Sequence, residues 1–472
     1  MKKSSTNDPS TWNVNQRTKV AFSIGEVGDG VAYQTFSFLI FVFYFTVVRL
    51  PVLWISAGFI IWSLWNAIND PLIGVLSDRT QSRWGRRFPW MLGATLPLAV
   101  MMIVLWIPPL YLSSDVINFA YFLFVLFLFD TFYTAFNLNY NAMWSEMFIS
   151  MEDRSVVGQI RGIFVIVALI FAFVLPTIII EDMTDQYGYS YTQSQYVLVG
   201  IVAATVIVIS YSIVLKWGAK ERSEFIHDSQ TAPSYKEAIR YTFRNKAFRF
   251  FVIAALATWI CNGILPTIIP LYATYVLHIA EEDSLLIGLL LLVAFLVGAV
   301  SMPFWTKLRQ KKGARATGLT AFACWAVSLL IFMWSFDLLS GLVTMALVGL
   351  GLGGSIYFYD QCIAEIIDED EIRLGTRRSG GYYGVISFII RLSGVINALV
   401  IGIVFTGTEW STYTPNPGID VIWGLRFLVG VFPAIVLTIG FVALYFYPIH
   451  GKFLQEIRQK LTEVHNQKRT DQ

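Results

Sequence analysis

The sequence predicts an all-α polytopic membrane protein with about a dozen transmembrane helices in two similar halves, and three observations carry that prediction. Its 472 residues are 56% hydrophobic, 16% aromatic and only 14% charged, well outside the usual soluble mix. The apolar residues arrive in long runs, among them 36–48, 89–113, 155–180 and 427–447, parted by short charged stretches. A spanning helix needs roughly 20 mainly apolar residues, and a helix satisfies its own backbone in lipid. Basic residues crowd into alternate loops, so a formal charge of +2 hides a sharp asymmetry.

Taken in order, the predicted segments are 20–48, 52–76, 89–111, 115–144, 156–180 and 194–217, then 247–276, 284–305, 316–336, 338–364, 379–407 and 423–447. The polar stretch before the first lacks the charged start, apolar core and small-residue cleavage site of a leader, so the first helix itself is expected to enter the membrane. The longest polar connection separates the sixth and seventh segments, and part of it, 235–243, suits a short surface helix or a solvated loop. Five regions follow: an N-terminal segment 1–19, a six-helix bundle 20–217, a linker 218–246, a second bundle 247–447 and a tail 448–472.

Arg79, Arg83, Arg86 and Arg87 follow the second segment, Lys307, Arg309, Lys311, Lys312 and Arg315 the eighth, and Lys452, Arg458, Lys460, Lys468 and Arg469 the twelfth. Glu181, Asp182 and Asp185, and Glu281, Glu282 and Asp283, fall in the opposite loops. Positive charge marks the cytoplasmic side, which places both termini there and the protein in the cell membrane. A basic loop after the second helix of each half, 78–87 and 307–315, hints at duplication around a midplane cavity. That plan is common among transporters, though some channels and receptors also contain repeats.

Charges inside hydrocarbon are costly, so those that persist there mark cavities or partners. Five acids fall within predicted helices, Glu26, Asp29, Asp70, Asp130 and Asp360, against two well-embedded bases, Arg161 and Arg391. In the fourth segment Asp130, Thr134, Asn137 and Asn141 share one face, which suits a water-filled path or, alternatively, hydrogen bonds between helices. Glu26, Asp29 and Tyr33 share a face of the first segment, as do Trp62, Asn66 and Asp70 of the second, with Asn69 alongside. Such oxygens suit a hard monovalent cation, and a single carboxyl could instead carry a proton. Arg391 is expected either to pair with Asp360 or another acid, or to bind a polar group of a solute through its planar fork. Asp360 itself lies near the end of its helix, as a solvated gate residue would.

Other chemistries find no support. The four histidines lie in loops or at helix ends, which argues against a histidine proton relay. Cys261, Cys324 and Cys362 form neither a disulfide framework nor a zinc spacing. Gly349, Gly351, Gly353 and Gly354 fall inside a helix with no preceding strand, so close packing explains them better than nucleotide binding. No P-loop and no G-x-S-x-G motif occurs, so the chain is expected to be no enzyme and to need no cofactor beyond a coupling ion, H⁺ or Na⁺.

A longer pattern runs from Trp65-Asn66-Ala67-Ile68-Asn69-Asp70-Pro71 through Ser77-Asp78-Arg79-Thr80 to Gly85-Arg86-Arg87-Phe88-Pro89-Trp90. With Tyr140-Asn141-Ala142 to Glu146, Asp153-Arg154, Asp368-Glu369-Asp370-Glu371, Gly375-Thr376-Arg377-Arg378 and Gly381-Tyr382-Tyr383-Gly384, it resembles the glycoside–pentoside–hexuronide:cation symporters, the melibiose permease group of the major facilitator superfamily. The resemblance covers most of the chain. It implies two six-helix bundles that alternate access to a central site.

By the same resemblance, Asp70 stands where that group has a cation-binding acid, with Asn66 in place of its companion acid and Asn69 beside it. Arg161 matches an arginine of the sugar region and Arg391 replaces a lysine. Gly30 and Asn137 stand where the permease has sugar-binding acids, Asp29 stands where it has lysine, and Asp130 and Asp360 are new acids. The expectation is therefore a cation site at Asp70, Asn66 and Asn69, and a solute site drawn from Asp29, Asp130, Thr134, Asn137, Asn141, Arg161 and Arg391. Asp78, Arg79, Arg86, Arg87 and Asp360 are expected to gate the cytoplasmic side. Aromatic residues such as Trp62, Trp65, Tyr133, Tyr140 and Tyr383 suit stacking on a sugar or ordinary packing. The expected partners are the bilayer and a small solute, a sugar, glycoside or related compound, with a lysophospholipid as the rival and a non-transporting sensor as a further alternative. No nucleic-acid partner is expected.

Overall fold

Long apolar runs interrupted by Pro, Gly and charge dictate a succession of helices, and the computed structural model contains nothing else among its described residues. Those are residues 14–109, 114–148, 151–183, 189–221, 240, 242–280, 283–374, 379–457 and 459–460. The first half contains α1 (Gln16–Val47), α2 (Val52–Arg79), α3 (Phe88–Val104), α4 (Asp115–Met147), α5 (Met151–Ile179) and α6 (Tyr189–Ile213, closed by a wider turn at Val214–Gly218). In the second half α7 is Lys246–Tyr275, α10 is Leu338–Leu374, α11 is Ser379–Gly407 and α12 is Ile419–Tyr445.

Between α7 and α10 a single stretch, Ser284–Trp334, turns at Gly313, whose φ of 84° only glycine adopts readily. It divides the stretch into α8 (284–312) and α9 (314–334). Among the described residues ten helices are long and apolar enough to cross a membrane; dividing this stretch and adding the 17-residue Phe88–Val104 recovers the twelve segments expected from sequence. Several starts have an identifiable cause in side-chain caps. Asn15 accepts from the Thr18 N–H at 2.8 Å, Ser114 from Ile117 at 3.3 Å and Asn245 from Phe248 at 3.1 Å.

Each half encloses its own aromatic interior. Phe22, Phe36, Tyr44, Trp106 and Tyr140 are buried in the first, and Phe251, Tyr272, Trp305 and Trp325 in the second. The glycine run of α10 does what packing predicts: Gly349 and Gly353 lie against Ala294 and Gly298 of α8, and Gly351 and Gly354 against Trp325 and Trp305. Leu64, Ile68, Val300 and Ile403, exposed on the outer faces, form an apolar coat suited to lipid rather than water.

The halves meet chiefly at the end away from the basic loops. There the Val52 N–H donates to the Ser411 carbonyl at 2.8 Å and the Ser284 hydroxyl to the Glu181 carbonyl at 2.7 Å. Phe45 packs on Phe405, Trp410 and Tyr413 with ring centroids 5.0 to 5.8 Å apart, and Phe173 stacks on Phe295. Phe45 is wholly buried and Trp410 nearly so. Toward the basic loops Asn141 is exposed and Arg161 and Glu26 are partly so, which leaves a crevice opening at that end.

Candidate functional site

The polar face of α4 organises the site, because each of its four residues engages a different position on a neighbouring helix. Asp130 receives the Asn66 amide at 2.6 Å on one oxygen and the Asn69 amide at 3.0 Å on the other. Thr134, one turn along, donates to Asp70 at 3.0 Å. Asn137 donates to Asp29 of α1 at 2.5 Å, and Asn141 accepts from Arg161 of α5 at 2.9 Å. In this state the stripe is spent on bonds between helices, the plainer of the two sequence readings.

Two ion pairs complete the array. Arg391 of α11 reaches across the halves to the free oxygen of Asp70 at 2.5 Å. Arg161 holds Glu26 through Nε at 2.6 Å and also through Nη2, while its guanidinium lies 5.3 Å from the Tyr140 ring and 5.2 Å from that of Trp144. Asp70 and Arg391 keep 22% and 29% of their side-chain surface, whereas Asp130 is 2% exposed. Cross-helix charge pairs near mid-bundle are therefore accessible from the crevice, and the carboxylate beside them is sealed.

The aromatic residues that could have stacked on a solute are largely used in packing. Trp62 lies edge-on to Phe36 at 5.4 Å, Trp65 stacks on Phe127 at 5.1 Å, and Tyr140 stacks on Phe22 at 4.6 Å while its hydroxyl donates to the Phe22 carbonyl. Tyr133 stacks on Tyr33 at 5.4 Å beside Asp29 and Asn137. The side chains of Tyr383 and Asp360, and all of 375–378, lie outside the described residues.

A second cluster sits at the basic end of the first half. Arg86 and Arg87 converge on Glu146, at the end of α4, at 2.6 and 2.8 Å, and Arg87 also reaches Asp78 at 3.2 Å. Glu221, just past α6, accepts the backbone N–H groups of Arg86, Arg87 and Phe88 at 2.8, 2.6 and 2.8 Å. It thereby caps α3, where the helix dipole favours an anion. Gly85, at φ 103°, makes room for that carboxylate, which a Cβ would strike. Of the expected gate, Asp78, Arg86 and Arg87 come together, while Arg79 is exposed at the end of α2.

Glu221 and Glu146 were not anticipated as functional residues. Glu221 reads as one charge in a polar linker, and Glu146 is simply the last member of a motif; no spacing ties either to Arg86. In the second half Arg309 and the buried Glu365 take the corresponding places at a looser 3.9 Å, and Asn245 donates to Glu369 at 2.5 Å.

Helices of spanning length, two bundles and a polar crevice between them define a polytopic membrane transporter rather than an enzyme. The chain belongs to the family described as MFS/sugar transport protein, which matches residues 21–451. It is 24% identical to a glucuronide carrier protein homolog of Escherichia coli, with 97% of each chain covered. It is 21% identical to a sodium-dependent lysophosphatidylcholine symporter 1 of Xenopus tropicalis, over 96% of this chain and 91% of that one. In fold it is similar to the crystal structure of the nucleoside transporter NupG, with a TM-score of 0.62 at 14% identity, covering 91% of this chain and all of that one. The glycoside–pentoside–hexuronide resemblance read from the sequence agrees with these relationships.

Proposed function

We propose that the protein is a cation-coupled symporter of the cell membrane that carries a sugar, glycoside or related polar organic solute by alternating access. The observation that carries this reading is the Asp70–Arg391 pair, which ties α2 of one half to α11 of the other within reach of the crevice. Arg391 acts as a tethered cation on the coupling carboxylate. When H⁺ or Na⁺ takes Asp70, with Asn66, Asn69 and Thr134 as neighbouring polar groups, Arg391 is released toward the solute and the central tie between the halves is lost. The halves, 20–217 and 247–447, then rock about the site. Asn137, Asn141 and Arg161 face the solute together with Asp29, while Asp130, sealed in this state, stands beside the cation site.

The positive-inside pattern supports a cytoplasmic position for the basic loops and both termini; in this reading the crevice faces the cytoplasm and the contacts of Phe45 and Trp410 close the outer side. Asp78, Arg86, Arg87 and Glu146 form the part of the cytoplasmic gate that lies on the first half, with Arg79 at its edge, and Asp360 on α10 belongs to the second half's part. The lysophospholipid symporter among the relatives makes an amphiphile the second reading. Uptake into proteoliposomes under an imposed H⁺ or Na⁺ gradient tests the proposal: Asp70→Asn should abolish accumulation against the gradient while leaving the protein folded. Concentrative uptake undiminished in that variant would sink the assignment.

A further inference from the structure

The charges that meet in the crevice do not balance, and the imbalance bears on what the solute can be. Among the described residues four carboxylates lie in or beside the crevice, Glu26, Asp29, Asp70 and Asp130, against two guanidiniums, and both guanidiniums are committed, Arg161 to Glu26 and Arg391 to Asp70. Asp29 and Asp130 are hydrogen-bonded by side-chain amides, with Tyr133 also beside Asp29; among the described residues neither has a lysine, arginine or histidine within 4.0 Å, and Arg161 and Arg391 act on them only from farther away.

These two carboxylates are differently placed. Asp130 is 2% exposed, and next to it the Asn66 Oδ1 is buried without a hydrogen-bond partner. A sealed carboxylate with a spare amide oxygen suits a small desolvated cation, which prefers oxygen ligands. Asp29 instead keeps partial exposure between α1 and α4, beside the Arg161–Glu26 pair. An ionised carboxylate is an acceptor only, with about four lone-pair directions. Asn137 occupies one of them with a hydrogen bond, which leaves capacity for donors arriving from the crevice.

We infer that the solute recognised here is uncharged or positively charged, presenting hydroxyl or ammonium hydrogens to Asp29, and that acidic solutes such as hexuronides are rejected. The inference rests on the reading of the protein as a carrier of polar solutes and narrows it. Even when a cation on Asp70 frees Arg391, three of these carboxylates, Glu26, Asp29 and Asp130, remain against two guanidiniums, so an added anion would enter an excess of negative charge or else strip Arg161 from Glu26 and leave that carboxylate bare. A hydroxyl or ammonium group gains a charge-assisted hydrogen bond and leaves both ion pairs intact.

The test uses the purified full-length protein and matched methyl glycosides in the gluco and galacto series, each as the neutral sugar, the 2-amino sugar and the uronide. Binding is read by ligand-dependent thermal stabilisation at saturating Na⁺ and at two pH values. In whichever series binds, the uronide should be weaker than its neutral or amino counterpart by at least about tenfold, the factor equivalent to 1.4 kcal/mol. Asp29→Asn should narrow that gap to about threefold or less, and Asp29→Glu should keep it. A uronide that binds as well as its neutral counterpart in the unaltered protein overturns the inference and leaves the symporter reading standing. Stabilisation by lysophosphatidylcholine with none by any glycoside overturns that reading, and this inference with it.

Discussion

The two halves share a helical plan and differ in what they place on it. In the first, among the described residues, α1, α2 and α4 supply the acids of the crevice and α5 the base Arg161, and the basic end is locked by Arg86 and Arg87 closing on Glu146 at 2.6 and 2.8 Å. The second half sends one guanidinium, that of Arg391, into the crevice, and its corresponding pair, Arg309 and Glu365, stands 3.9 Å apart. Repetition thus set the scaffold, while chemistry concentrated on one side. The Asp70–Arg391 pair, which joins the halves near mid-bundle, is then where the proposed coupling cation would act on both.

The largest effect should come from that pair. Arg391→Gln leaves Asp70 without its base, and at this partial exposure the loss falls between a surface and a buried ion pair, about 1–3 kcal/mol. Gradient-driven uptake should fall to background, as in Asp70→Asn, while the doubly neutral variant should regain the thermal stability, though not the coupling, of the unaltered protein. Equal stability in all three variants would remove Asp70–Arg391 as the tie between the halves.

The gate offers a sharper comparison. Glu146→Gln removes the shared acceptor of two arginines and should lower stability by about 1–3 kcal/mol. Arg309→Gln, acting on the looser counterpart, should cost about 1 kcal/mol or less by the same thermal melt. Comparable losses would mean that the halves are locked alike and that the asymmetry is confined to mid-bundle.

Next comes the cap on α3. Gly85→Ala forces a side chain into left-handed backbone against the Glu221 carboxylate, and the conformational cost alone is about 1–2 kcal/mol. Glu221→Gln keeps an acceptor but loses the charge at the helix start, for about 0.3–1 kcal/mol. Asp78→Ala should be smallest in stability, because Asp78 is 43% exposed. Its expected signature is a shift of the inward/outward balance in spin-label distances between the cytoplasmic ends of α2 and α11. An unchanged distance distribution would reduce Asp78 to a surface charge.

Particular residues mark how far the sequence could be read. The spans were legible because hydrocarbon tolerates little but apolar helices, and most expected limits fall within about five residues of those observed, α11 coinciding at 379–407, while α8 and α10 run seven and ten residues past their expected ends and α3 stops seven short. The α4 stripe was legible as a face, since four residues at helical spacing must share one. Its partners were not. Nothing in the order of residues says that Asp130 meets Asn66 and Asn69 while Asp70 meets Thr134 and Arg391, a residue 321 positions away. The sequence left open which acid Arg391 meets, and only the position of α11 against α2 brings it to Asp70.

By itself the sequence determined that this chain crosses a membrane many times, which end of each helix is basic, and which few polar residues it keeps in apolar surroundings. Those features follow from local composition and helical period, which act over tens of residues. The tertiary structure alone decided which acids have bases and which have only amides, that Glu221 reaches back to cap α3, and that the crevice opens toward the basic loops. Such outcomes depend on distances of a few ångströms between helices far apart in the chain, and local sequence does not encode those distances.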